Sequence, residues 1–104
     1  MSNRLALIIG EAADPVIANL RLALFMRNPA VRNATSFSEP LHAELQADGI
    51  THVILYGLAY TANDAAKFPY KVCVLNAKVD EALAAGVYTA ESIPEVLAWS
   101  SQKI

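Results

Sequence analysis

The sequence predicts an α/β protein, a small three-layer α/β/α sandwich with a mainly parallel sheet. Three observations point there. Short apolar runs without polar alternation, LALII, HVILY and YKVCVL, mark strands buried on both faces. Between them lie segments whose apolar residues recur every three or four positions, as on one side of a helix. Capping residues, prolines and glycines punctuate the chain where one pattern gives way to the next.

The first strand covers Leu5–Ile9. Asp14 then offers a helix N-cap, and Pro15 stands at the first helical position, where its missing N–H costs nothing. In the helix that follows, Val16, Leu20 and Leu24 repeat every fourth residue, Ile17 and Ala23 widen the stripe, and Asn28-Pro29 stops it. AVRNATSF fits either a short edge strand or a loop. Ser38 caps a second helix with Leu41 and Leu45 on one face, and Asp48-Gly49 ends it through a left-handed glycine. THVILYG carries the next strand, His52–Tyr56. LAYTANDAAK reads as a loop with a short helix, capped by Thr61 and closed at Phe68-Pro69. The third clear strand is Tyr70–Leu75. Asn76 caps a helix whose Val79, Ala82 and Leu83 share a face, with Asp80 and Glu81 in its positive first turn and Gly86 at its end. VYT is a candidate last strand, and Ser92-x-x-Glu95 has capping-box spacing ahead of a terminal helix that contains Trp99. No internal repeat or linker interrupts the pattern, so residues 1–104 read as a single domain.

Composition narrows the function classes. Of the 104 residues, 55% are hydrophobic and 17% charged, against roughly 25% charged in an ordinary soluble domain. A short chain with so little charge is expected to cover part of its apolar surface with another copy, which predicts a homo-oligomer. The net charge is −2 and the eight Lys and Arg residues are scattered, so no nucleic acid or anionic membrane is expected as a partner. Leu5–Ile9 is too short for a signal-peptide core or a membrane span, and a reducing cytoplasm is the expected compartment. One cysteine excludes an internal disulfide. His42 and His52 stand at no ligand spacing, so neither a metal nor a cofactor is expected.

In parallel sheets ligands bind beyond the carboxyl ends of the strands, and three turns answer that description: Gly10 to Asp14, Gly57 to Thr61, and Leu75 to Lys78. The first leads into a helix N-terminus able to hold an anion, or is simply a helix start, and Glu11 and Asp14 would repel a phosphate. The second presents Gly57 and Tyr60, where glycine permits close backbone approach or merely lets the strand turn. The third contains Asn76 and Lys78 and follows Cys73. Two readings of that cysteine stand side by side. A nearby helix N-terminus with Lys71 and Lys78 would lower the thiol pKa and make it a nucleophile, whereas burial between Val72 and Val74 would raise it and leave a core residue. Trp99 reads as a core or interface anchor.

The first strand followed by ADPVIANLRLALFM, then HVILYG, then YKVCVLNAK leading into VDEALAAGV and ESIPEVLAWSSQKI, resembles the DsrE/DsrF-like group of small sulfur-relay proteins. The resemblance spans most of the chain and is most specific at the cysteine-bearing strand with its Asn-containing turn. The arginine-glycine pair often found beyond that strand is absent, Ala85-Gly86 standing in a similar place. The resemblance implies a flavodoxin-like fold and assembly as dimers, trimers or hexamers, with a trimer preferred. It also implies a cysteine persulfide passed from a sulfur donor protein to an acceptor. Cys73 would then be the nucleophile, with Asn76 and the following backbone N–H groups stabilising the thiolate or persulfide. The alternative is a non-catalytic α/β oligomer that binds a small ligand or a protein at the strand ends, with Gly10, Gly57, Tyr60, Asn76 and Lys78 around the site and Cys73 packed.

Overall fold

The computed structural model describes residues 4–10, 15–34, 38–57, 70–75 and 87–103. Within them the strands are β1 (Leu5–Ile9), β2 (Ala30–Asn33), β3 (His52–Tyr56), β4 (Lys71–Leu75) and β5 (Val87–Ala90), and the helices are α1 (Val16–Ala23), α2 (Glu39–Ala47) and α3 (Ile93–Lys103). The strands form one sheet in the order β2-β1-β3-β4-β5, and every neighbouring pair is parallel. This is the flavodoxin-like order of a doubly wound sheet. The expected α/β sandwich is therefore the fold the chain adopts, and the ambiguous AVRNATSF segment supplies an edge strand.

The period of two in a strand sends alternate side chains to opposite faces. Ala6, Ile8, Val53, Leu55, Val72 and Val74 pack on one face against Leu41 and Leu45 of α2. Leu5, Leu7, Ile9, Ile54, Tyr56, Cys73 and Leu75 pack on the other against Ile17 and Leu20 of α1 and Val96 and Trp99 of α3. Both faces are covered, which is why the three central strands are written almost without polar residues.

Local signals explain the helix limits. Pro15 already has helical dihedrals (φ −62°, ψ −21°) at the start of α1. The buried stripe of that helix is Ile17, Leu20 and Leu24, while Val16 is exposed. The core-facing side thus keeps Ile17, Leu20 and Leu24 of the expected stripe and leaves Val16 at its margin. Beyond Ala23 the chain tightens into a 3₁₀ turn, Phe25–Arg27, and Asn28 takes a left-handed φ of 49° before Pro29. Ser38 caps α2 as expected, its Oγ accepting from the Leu41 N–H at 3.4 Å, and Gly49 ends the helix at φ 73°. At α3 the Glu95 carboxylate accepts from the Glu91 N–H at 2.5 Å, one residue upstream of the Ser92 partner that the capping-box spacing predicts. The caps expected at Asp14, Thr61 and Asn76, and the helices after Thr61 and Asn76, lie outside the described residues. No helix among the described residues is long and apolar enough to cross a membrane.

Candidate functional site

The strand order fixes one special place. From β1 the chain goes to β2 on one side, and from β3 it goes to β4 on the other, so the strand order reverses at these two neighbours, the position where open parallel sheets take their ligands. Gly10 and Gly57 are the residues that follow β1 and β3, and Ile9 pairs with Tyr56 in the ladder just before them. The tertiary structure thus brings together two glycines that are 47 residues apart in sequence.

Their backbone bonds limit what they do there. The Gly10 N–H donates to the Tyr56 carbonyl at 2.7 Å, and the Gly57 N–H donates to the Leu75 carbonyl at 3.3 Å. Both N–H groups extend the sheet ladder, so neither is available as an anion donor. What the glycines provide is two adjacent backbone positions without side chains. Gly57 has a further reason to be glycine, since its φ of 73° lies in the left-handed region. Tyr60, Asn76 and Lys78, the other expected ligand contacts, lie outside the described residues.

Cys73 sits one strand further along, in the α1 and α3 face of the sheet. Its ladder partners are Ile54 in β3 and Tyr88 in β5, and its residue surface is fully buried. Burial first, and the Glu95 carboxylate second, push its thiol up to about 12. At neutral pH only on the order of one thiol in 10⁵ is then ionised, and the thiolate is the form that attacks sulfur. Lys71 is exposed at the amino end of the strand, at the far end of β4 from the carboxyl edge, and Lys78 lies outside the described residues. Among the described residues the charge felt at Cys73 is a carboxylate on α3, which the spacing of residues along β4 does not reveal.

Other polar side chains find partners that sequence reading missed. His42 receives or donates a 2.9 Å hydrogen bond between its Nδ1 and the Tyr70 hydroxyl, with the rings edge-to-face at 5.5 Å, so it is tied to the segment before β4 and not turned to solvent. Burial raises the Tyr70 phenol pKa. His52 is buried, bonds Thr51 Oγ1 through Nδ1 at 2.7 Å and meets Trp99 edge-to-face at 5.9 Å. Trp99 is a core residue with 6% of its surface exposed, which removes it from the candidates for an interface anchor. Ser100, also buried, donates to the Leu97 carbonyl and accepts from Arg27 Nε at 3.0 Å. Among the described residues no buried side-chain nitrogen or oxygen is left without a partner. The surface tells a different story: Leu22, Phe25 and Met26 are 76%, 74% and 89% exposed. The signal for this was present in LALFM, where apolar residues outnumber what one helix face can bury.

Comparisons with protein-family models, with curated proteins and with solved structures find no match to this chain.

Proposed function

We propose that this chain is a non-catalytic binding domain, whose ligand docks at the carboxyl edge of the sheet between the ends of β1 and β3. The observation that carries the reading is the meeting of Gly10 and Gly57 at the point where the strand order reverses, the place where open parallel sheets take their ligands. Two residues without side chains stand at that edge, and the sheet behind them is packed on both faces. A site of this kind needs no catalytic group to bind.

The state of Cys73 supports binding over sulfur transfer. A persulfide carrier needs a thiolate that meets both donor and acceptor. This thiol is buried in the cluster that α1 and α3 cover, and burial raises its pKa, which works against the thiolate. Two measurements test the proposal together. Titration with a thiol reagent should show no reaction of native protein and one thiol on adding denaturant, and treatment with an inorganic polysulfide should leave the intact mass unchanged. In parallel, NMR screening with a library of small polar fragments should shift the Gly10 and Gly57 amides ahead of the rest of the backbone. Rapid native labelling, or addition of one sulfur that Cys73→Ser abolishes, would restore the sulfur-carrier reading. Fragment shifts confined to other parts of the sheet would remove the binding site proposed here.

A further inference from the structure

We propose that copies of this chain associate head to tail, the basic apolar face beside β2 of one copy docking on the acidic β5 edge of the next. This goes beyond the ligand-binding reading and does not depend on it. The donor face combines three features. Leu22, Phe25 and Met26 stand in solvent within five residues of each other, a concentration of apolar surface that monomers seldom leave uncovered. Beside them Ala18, Arg21, Leu22, Phe25, Pro29 and Val31 line a groove of about 430 Å³ between α1 and the edge strand. Residues 15–34 contain Arg21, Arg27 and Arg32 and no Asp or Glu, in a chain whose net charge is −2.

Only one of those arginines is neutralised by a described carboxylate. Arg32 pairs with Asp48 at 2.7 Å. Arg27 is held by the hydroxyls of Ser100 and Ser101, which carry no charge. Arg21, in the groove itself, makes no ion pair among the described residues. The groove therefore asks for a partner that is acidic and partly apolar.

The opposite edge of the same sheet has that character. β5 is the other edge strand, and Tyr88 on it is 41% exposed. Glu91 follows, exposed, and Glu95 is next along the same segment, while residues 87–101 contain no Lys or Arg. Charge complementarity between the two edges favours a heterologous contact in which Tyr88 packs at Phe25 and Leu22 and Glu91 faces Arg21. A two-fold contact of the β2 face with itself would instead join two copies of a basic segment that contains no Asp or Glu. Heterologous contacts close into rings or run on as filaments, according to the rotation between copies.

The test is sedimentation velocity of the full chain across a concentration series, with circular dichroism confirming the fold of each variant. Wild-type protein should associate, and association should weaken as NaCl rises from about 0.05 M to about 0.5 M. Leu22→Asp should leave a folded monomer. Arg21→Glu and Glu91→Arg should each weaken association about tenfold, and the double variant should recover most of the loss. A wild-type monomer throughout the series would overturn the proposal. So would association that Glu91→Arg leaves untouched, which would mark a two-fold contact of the β2 face alone. A monomer that cosediments with phosphatidylserine vesicles through Arg21 and Phe25 would also overturn it, assigning the face to a membrane surface.

Discussion

The two faces of the sheet are packed by different rules. Against α2 the core is wholly aliphatic, built from Ala6, Ile8, Leu41, Leu45, Ile50, Val53, Leu55, Val72 and Val74. Against α1 and α3 it also takes in Tyr56, Cys73 and Trp99, with His52 and Ser100 buried beside them. The fully buried members of the aliphatic face need only shape and volume, since none carries a hydrogen-bonding side chain; partly buried Tyr70 packs at the margin and bonds His42. The mixed face needs partners as well, and it obtains them from Thr51, Leu97 and Arg27. Its groups are therefore fixed in direction as well as in depth, because a buried polar atom without a partner costs more than a missing contact.

Substitution separates the two. Trp99→Ala should have the largest effect, about 3–5 kcal/mol in urea unfolding, since it empties the centre of the mixed face and removes the ring that meets His52. Leu45→Ala, fully buried on the aliphatic face, should cost about 2–5 kcal/mol. Leu45→Met should recover most of that, because volume alone matters there. A Leu45→Met variant as unstable as Leu45→Ala would erase the distinction between the faces.

Cys73 gives the mixed face a pH dependence of its own, separate from that of the Tyr70 phenol at the margin of the aliphatic face, whose pKa burial also raises. Its thiol pKa rises from an ordinary 9.0 to about 12 on folding. A raised pKa means that its contribution is complete below the unfolded value and is lost as pH climbs toward the folded one, because the unfolded chain gives up a proton that the folded chain retains. Stability should accordingly fall by about 1.4 kcal/mol per pH unit through the window from about 9 to 12. The stability difference between wild type and Cys73→Ala, followed by urea unfolding at successive pH values, should narrow by that slope; the Tyr70 phenol is common to both proteins and cancels. A constant difference would mean that Cys73 titrates normally and is open to solvent.

The smallest expected effect lies at the start of the helix covering the aliphatic face. Ser38→Ala should cost about 1 kcal/mol by removing the acceptor for the Leu41 N–H, with Ser38→Asp restoring it. An unchanged unfolding midpoint for Ser38→Ala would show that packing of Leu41 and Leu45 alone sets the position of α2.

The chain's own pattern determined the strands at Leu5–Ile9, His52–Tyr56 and the run ending at Leu75, the cap at Ser38, the left-handed Gly49 and the α/β class. These follow from local chemistry: side-chain period, φ preference and the hydrogen-bonding reach of a serine are properties of a few neighbouring residues. Even the parallel arrangement was legible, because strands without polar alternation must be covered on both faces. Tertiary structure alone decided the rest. It left Val16 at the exposed margin of the α1 stripe, placed Trp99 in the core, and brought Glu95 into electrostatic reach of Cys73. It also set Gly10 beside Gly57 where the strand order reverses at β1 and β3. The physical reason is common to all four. Burial and electrostatic neighbourhood are sums over residues distant in the chain, and the order in which strands pair decides which of those residues meet.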